Sequence, residues 1–255
     1  MQANAVNFSE ELLRAKERLP KGLIDGLNLD PVDWVSPDIK AVSSLASLID
    51  HTILKSDTTK SNIVDHCEEA KKHLFFSVCV NTTWVKYAKQ LLNNTSVKVA
   101  TTVGFPLGAM QAKAKWEETR IALEEGADEI DMVINLGALK SGEYQETFDD
   151  IFKIREICGT KVLKVILETG ILSTDETMLA AIIAKAAKAN FLKTSTGFAQ
   201  VGATEEMVKR LRFVAGNEMG VKASGGIKNS EQALNMIKAG ANRLGVSASM
   251  AIIGA

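Results

Sequence analysis

From Ser47 onward the chain alternates short, apolar, β-branched runs with amphipathic stretches of roughly ten to twenty residues, and no other feature limits the fold so strongly. Successive parallel strands need a crossover of about a dozen residues, usually a helix, so the alternation specifies βαβ units and a parallel sheet. The apolar runs fall at 48–53, 75–80, 97–103, 129–134, 162–167, 191–194, 220–223 and 243–246. Helical patterns occupy 62–73, 84–92, 112–125, 147–157, 176–188, 205–214 and 230–239, most of them opened by Ser, Thr or Asn at a plausible cap. Eight strands with helical patterns between them predict a single α/β domain of the (β/α)8 TIM-barrel class, and 255 residues is near the usual size of one. An open doubly wound sheet would favour a GxGxxG or GxxxxGK[ST] loop after an early strand, and neither motif is present.

Residues 1–42 differ from the rest. They hold Pro20, Pro31 and Pro37, three of the four prolines, and a charge-dense run at 10–18. The pattern predicts a short helix at about 8–18 and an extended lead-in, together an N-terminal extension packed outside a barrel domain of 43–255. Lys plus Arg (30) nearly balance Asp plus Glu (31) with no basic stripe, which argues against nucleic acid as a partner. The absence of a charged leader with an apolar run, and of about eighteen consecutive apolar residues, predicts a cytoplasmic protein with no membrane association. Cys67, Cys79 and Cys158 are odd in number and widely spaced, and read as buried thiols. His51, His66 and His73 are not read as a metal set: His66 and His73, seven apart on one helix, suggest a solvated face. No metal and no cofactor are expected.

Barrel strands are covered on both faces, so an ionisable residue inside one is costly unless it is paired or used. Four consecutive runs break this rule, with Asp131, Lys164, Lys193 and Lys222 each set among apolar neighbours. In a closed barrel their side chains converge on one interior. Crowded ammonium groups lower one another's pKa and supply a neutral amine, the species that attacks a carbonyl. Lys193 suits the desolvated nucleophile, Lys222 the cation that keeps it deprotonated, and Asp131 the carboxylate that passes protons through water. The plainer alternative is a structural ion-pair network, and a single strand-end lysine more often extends to solvent.

Small, hydroxyl-rich segments follow the last strands: Ala223-Ser224-Gly225-Gly226 after the seventh and Gly245-Val246-Ser247-Ala248-Ser249 after the eighth. In many barrels these two loops hold a phosphate through backbone N–H groups. Gly225, Gly226, Gly245 and Ser247 are therefore candidates for binding an anionic substrate, and Thr196 and Gly197, in Thr194-Ser195-Thr196-Gly197, extend the same rim beside Lys193. A lone Gly-Gly is otherwise a plain turn.

Several segments in order resemble the deoxyribose-phosphate aldolase family, the Schiff-base class I aldolases of the DeoC type. They are Ile49-Asp50-His51-Thr52, Val78-Cys79-Val80-Asn81, Val103-Gly104-Phe105-Pro106, Glu129-Ile130-Asp131-Met132-Val133-Ile134-Asn135, Leu163-Lys164-Val165-Ile166, Phe191-Leu192-Lys193-Thr194-Ser195-Thr196-Gly197 and Val221-Lys222-Ala223-Ser224-Gly225-Gly226. The resemblance, which covers about residues 47 to 250, implies Lys193 as the Schiff-base lysine, Asp131 and Lys222 as the proton-relay and pKa-lowering pair, and Lys164 in the surrounding charge network. It also implies cleavage of 2-deoxy-D-ribose 5-phosphate to acetaldehyde and D-glyceraldehyde 3-phosphate, a place in deoxyribonucleotide catabolism, and a homodimer or homotetramer. Cys79 matches a strand-two cysteine that family members often carry near the aldehyde site, although packing is its plainer role. Glu168 shares the strand face of Lys164 and is a candidate member of the polar network. Two departures bear on phosphate affinity: Val246 stands where the family commonly has Thr, and Ser249 where it has Gly. Tyr87 and Tyr144 both lie in helical stretches, so no tyrosine near the C-terminus is expected to assist proton transfer. A Schiff-base aldolase for another sugar phosphate and a non-catalytic phosphate-binding barrel are the competing readings.

Overall fold

The computed structural model describes residues 2–30, 32, 34–37, 39 and 41–255, with side chains from Phe8 onward apart from those of 42 and 43. Within them, β1 (Ile49–Ile53), β2 (Ser77–Val80), β3 (Lys98–Val103), β4 (Glu129–Val133), β5 (Val162–Ile166), β6 (Phe191–Lys193), β7 (Gly220–Ser224) and β8 (Arg243–Val246) pair in chain order. β8 returns to β1, with Asp50 opposite Gly245 and His51 opposite Val246, and closes the barrel that the alternation predicts.

The helices around it are α1 (Gln2–Arg18), α2 (Lys21–Ile24), α3 (Lys60–His73), α4 (Val85–Leu91), α5 (Ala112–Glu124), α6 (Leu136–Lys140), α7 (Tyr144–Cys158), α8 (Thr174–Ala186), α9 (Glu205–Ala215), α10 (Ser230–Ala239) and α11 (Ser249–Ile253). Their starts follow capping chemistry, which satisfies N–H groups that have no partner within the helix. Thr59 with Asn62 and Ser173 with Glu176 form capping boxes at α3 and α8, and Thr204 and Asn229 cap α9 and α10. α6 and α11 were not apparent from periodicity, since neither is long enough to complete two turns. α1 starts at Gln2, earlier than the residue-8 start read from the sequence, because the preceding stretch lacks the apolar spacing that marks a helix.

Strand residues that point outward, among them Ile130, Met132, Leu163, Val165, Leu192, Val221 and Leu244, form the main apolar core against the helices and are fully buried. α8 is unusual in being buried from Thr177 through Lys185, with Met-Leu-Ala-Ala-Ile-Ile-Ala offering no polar face. A helix apolar all round must be covered on all sides. α1 lies across α8 and α9 and supplies that cover with Phe8, Leu12 and Ala15. Its Glu11 accepts from Arg210 Nε at 2.9 Å and from Nη2 at 3.2 Å, and the Arg210 guanidinium stacks over Phe8. Of the lead-in, Trp34 donates to the Ile237 carbonyl at 3.1 Å, while Pro31 lies outside the described residues.

Candidate active site

Alternation along the strands turns Asp50, Glu129, Asp131, Lys164, Lys193, Lys222 and Arg243 into the barrel interior, where an ordinary barrel stacks layers of Val, Ile and Leu. Asp131 is the hub. Its Oδ1 accepts from Lys164 Nζ at 2.7 Å, and its Oδ2 accepts from both Lys193 Nζ and Lys222 Nζ at 2.8 Å. Lys222 also donates to Asp50, whose other oxygen accepts from Arg243 Nη1 and Ser77 Oγ, each at 2.7 Å. Glu129 accepts from Lys164 at 2.6 Å and from Arg243 at 3.2 Å.

The network sorts the protonation states. Lys193 lies below the usual lysine pKa through burial first; Lys222 beside it adds to the lowering and Asp131 opposes it. Burial also works against charge on Lys222 and Lys164, but the carboxylates around them hold both above the ordinary value. Asp131 and Asp50 stay ionised against burial because two lysines and a third cation or lysine face each of them. Among the described residues the interior thus holds three carboxylates, and three cations besides Lys193. A neutral amine at 193 leaves this set balanced.

A cavity of about 650 Å³ opens at the C-terminal ends of β1, β6, β7 and β8, and of the interior charges only Lys193 lines it. Gly197, Gly225, Gly226, Gly245 and Ser247 line the same cavity, together with Thr196. The loops after β6 and β7 are knitted by Thr194 Oγ1 donating to the Ser224 carbonyl at 3.1 Å and by Ala203 N donating to the Ser224 and Gly225 carbonyls. Gly225, at φ +84°, lies so close to Gly197 and Gly202 that a Cβ would sit 3.1 Å from the Gly202 Cα. Gly225, Gly226 and Ser247 all line the cavity, and among the described residues their N–H groups have no hydrogen-bond partner. Such amides suit an anion.

Three candidates sit differently from a simple substrate contact. Gly245 is also the floor under Lys222: a Cβ there would come within 2.7 Å of Lys222 Cε. Thr196 spends its N–H and hydroxyl on Glu168, and in turn accepts from Phe198 N at 3.1 Å. Glu168 therefore braces the β6 loop and does not join the lysine network, because the chain leaves strand geometry there, with φ +55°. Cys79 is fully buried under the cavity in a small apolar cluster with Leu54 and Ala100, against Phe105, and burial raises its thiol pKa.

Asp50, Glu129 and Arg243 were missed as site residues by the sequence reading. Asp50 carried the same signal as the four that were found, a charge inside an apolar run. Glu129 and Arg243 stood at the starts of their runs, where a charge reads as a solvated end. The reading of His66 on a solvated face is corrected too. His66 is buried, stacks on His51 with ring centroids 3.6 Å apart, and hydrogen-bonds the His51 carbonyl at 3.0 Å. His51 bonds Ser249 Oγ at 2.7 Å and Glu69 at 2.9 Å. The ligand atoms of His51, His66 and Glu69 lie within 4.8 Å of one another, but ring planes only 16° from parallel point the in-plane lone pairs side by side instead of toward one point. Burial pulls these imidazole pKa values down to about 4 for His51 and about 3 for His66, so both are neutral at pH 7.

A closed barrel whose one cavity-facing interior charge is a buried lysine of lowered pKa defines a class: an enzyme that handles carbonyl compounds through an amine, a class I aldolase. The chain belongs to the DeoC/LacD family of aldolases, whose model matches residues 44–253. It is 54% identical over 205 residues to the deoxyribose-phosphate aldolase of Lactococcus lactis subsp. lactis, covering 80% of this chain and 93% of that one. Among solved structures it resembles a putative deoxyribose-phosphate aldolase from Coccidioides immitis with a TM-score of 0.85 and 36% identity over 98% of both chains, so that likeness extends into the N-terminal segment. It also resembles the tetrameric deoxyribose phosphate aldolase of Aeropyrum pernix with a TM-score of 0.77 and 28% identity, over 96% of this chain and 95% of that one.

Proposed function

We propose that this enzyme reversibly cleaves 2-deoxy-D-ribose 5-phosphate to D-glyceraldehyde 3-phosphate and acetaldehyde through a Schiff base on Lys193. The observation that carries the proposal is the placement of Lys193 Nζ, buried, lining the cavity, and 2.8 Å from the carboxylate it shares with Lys222. The neutral amine adds to the C1 aldehyde of the open-chain sugar, and loss of water gives the iminium. A base, Asp131 acting through water, takes the C3 hydroxyl proton. The C2–C3 bond then breaks, its electrons pass to the iminium to form an enamine, and glyceraldehyde 3-phosphate departs. Protonation of the enamine at C2 and hydrolysis release acetaldehyde and restore the amine. Lys222 stays charged throughout and holds Asp131 ionised, and Lys164 anchors the opposite oxygen of Asp131.

The substrate phosphate sits against the free amides of Gly225, Gly226 and Ser247, with Gly197 and Thr196 completing the rim. Cys79 is not in the cavity lining and packs behind Leu54, which does line it, so its part is to back the apolar side of the site. We place the enzyme in the cytoplasm, in the breakdown of deoxyribonucleotide-derived sugars, as a homodimer or homotetramer; no described helix is long and apolar enough to cross a membrane, and the Aeropyrum pernix relative is tetrameric. Borohydride reduction in the presence of acetaldehyde, followed by peptide mapping, tests the mechanism. The adduct is expected on Lys193; an adduct on any other lysine refutes the assignment.

A further inference from the structure

A phosphate dianion is not neutralised by amides alone and calls for a cation at the cavity that is free to meet it. Lys222 and Lys164 are locked to carboxylates and do not line the cavity. Phe198, on the β6 loop, is apolar, exposed, and set edge-on to Phe105 at 5.2 Å. Besides Lys193, the lining contains one cation, Lys55, in the turn after β1. Asp57 and Glu69 lie in the same wall, so without Lys55 the outer cavity would repel an anion.

Three observations place Lys55 to act. β1 pairs with β8, His51 standing opposite Val246, so the turn that carries Lys55 rises beside the loop that carries Ser247. The turn is fixed: Thr58 Oγ1 and Thr58 N donate to the Lys55 carbonyl at 2.7 and 3.3 Å, and Thr59 then caps α3. Finally, Lys55 has no carboxylate partner among the described residues, whereas Lys222 and Arg243 are each held by one. We propose that Lys55 is the cationic anchor for the substrate phosphate and sets the preference for phosphorylated over unphosphorylated sugar. This rests on the sugar-phosphate reading above. An ammonium here works as a point charge and not as a fork, so Arg can replace it in charge while a neutral amide cannot.

The test compares kcat/KM for 2-deoxy-D-ribose 5-phosphate and for 2-deoxy-D-ribose in the wild type, Lys55→Gln and Lys55→Arg, with inorganic phosphate as inhibitor. Lys55→Gln is expected to lower the phosphate preference about tenfold, weaken inhibition by phosphate to a similar degree, and flatten the fall of the preference with added salt. Lys55→Arg is expected to keep most of the preference. A wild-type preference that Lys55→Gln preserves within about twofold overturns the role of Lys55 alone. A wild type that treats both sugars equally overturns the sugar-phosphate reading, and the anchor with it.

Discussion

Replacing Lys222 with Met tests the proposal that the barrel keeps Lys193 uncharged as its nucleophile. Lys193 and Lys222 each donate to the same Asp131 oxygen at 2.8 Å, which puts their nitrogens roughly 5 Å apart. At an effective dielectric constant of about 20, two unit charges at that distance repel by ~3 kcal/mol. Removing the permanent charge makes it that much easier to protonate Lys193. The acid limb of the pH–rate profile, which reports loss of the neutral amine, should therefore move up by about 2 pH units. At neutral pH the variant should be slowed by up to about a hundredfold, approaching the wild type as pH rises above the displaced limb. The charge count gives the same sign, since three interior carboxylates would then face two permanent cations and draw a proton onto Lys193. The assay is the rate at which borohydride traps the acetaldehyde adduct as a function of pH, with kcat/KM from a coupled NADH assay alongside and far-UV circular dichroism to confirm folding. A profile lowered in height with its acid limb unmoved would refute the electrostatic argument.

Gly245→Ala should reproduce part of this displacement, because the new Cβ would sit 2.7 Å from Lys222 Cε and push the ammonium off Asp131; an unshifted profile would show that Lys222 accommodates the methyl. His66, with its pKa pulled by burial from 6.5 to about 3, must bind a proton on unfolding in acid, so stability should fall as pH drops below about 6.5 and level off near the folded value. Each such histidine sets a slope of up to about 1.4 kcal/mol per pH unit, and urea midpoints measured from pH 7 to 4 should fall less steeply in His66→Gln. Glu11→Ala leaves the buried Arg210 with only Glu206 and should cost about 2 kcal/mol by urea denaturation with kcat unchanged; no loss of stability would mean that α1 does not latch α8 and α9.

The barrel was legible because its strands carry their own signal. A run covered on both faces must be apolar almost throughout, and all eight runs stood out against capped amphipathic stretches. What stayed hidden was what propensity does not encode. α6 owes its existence to Asn135 accepting from Ala138 N, a contact of one side chain. The cover of α8 by α1 was half visible, since an apolar helix announces that something must lie over it without saying what. Glu168 shows the limit of strand alternation: counted as a strand residue it faces Lys164, but the backbone turns at its positive φ and aims it at Thr196.

The site was legible for a related reason, and only in part. Charges at 131, 164, 193 and 222 break apolar runs, so burial itself marks them. Pairing is a different matter, because the partners that make those charges tolerable come from β1, β4 and β8 and meet only when the barrel closes. Asp50 links Lys222 to Arg243, and Glu129 links Arg243 to Lys164, so the cations form one ring of contacts around the three carboxylates. Removing one member of such a network leaves an unpaired charge where water cannot reach it. Lys193 is the exception in this ring. It touches one carboxylate oxygen that Lys222 already occupies, and its other side faces the cavity. It can therefore lose its proton without leaving any carboxylate unpaired, and that asymmetry sets it apart from Lys164 and Lys222 in the barrel interior and supports the proposal that it is the reacting amine.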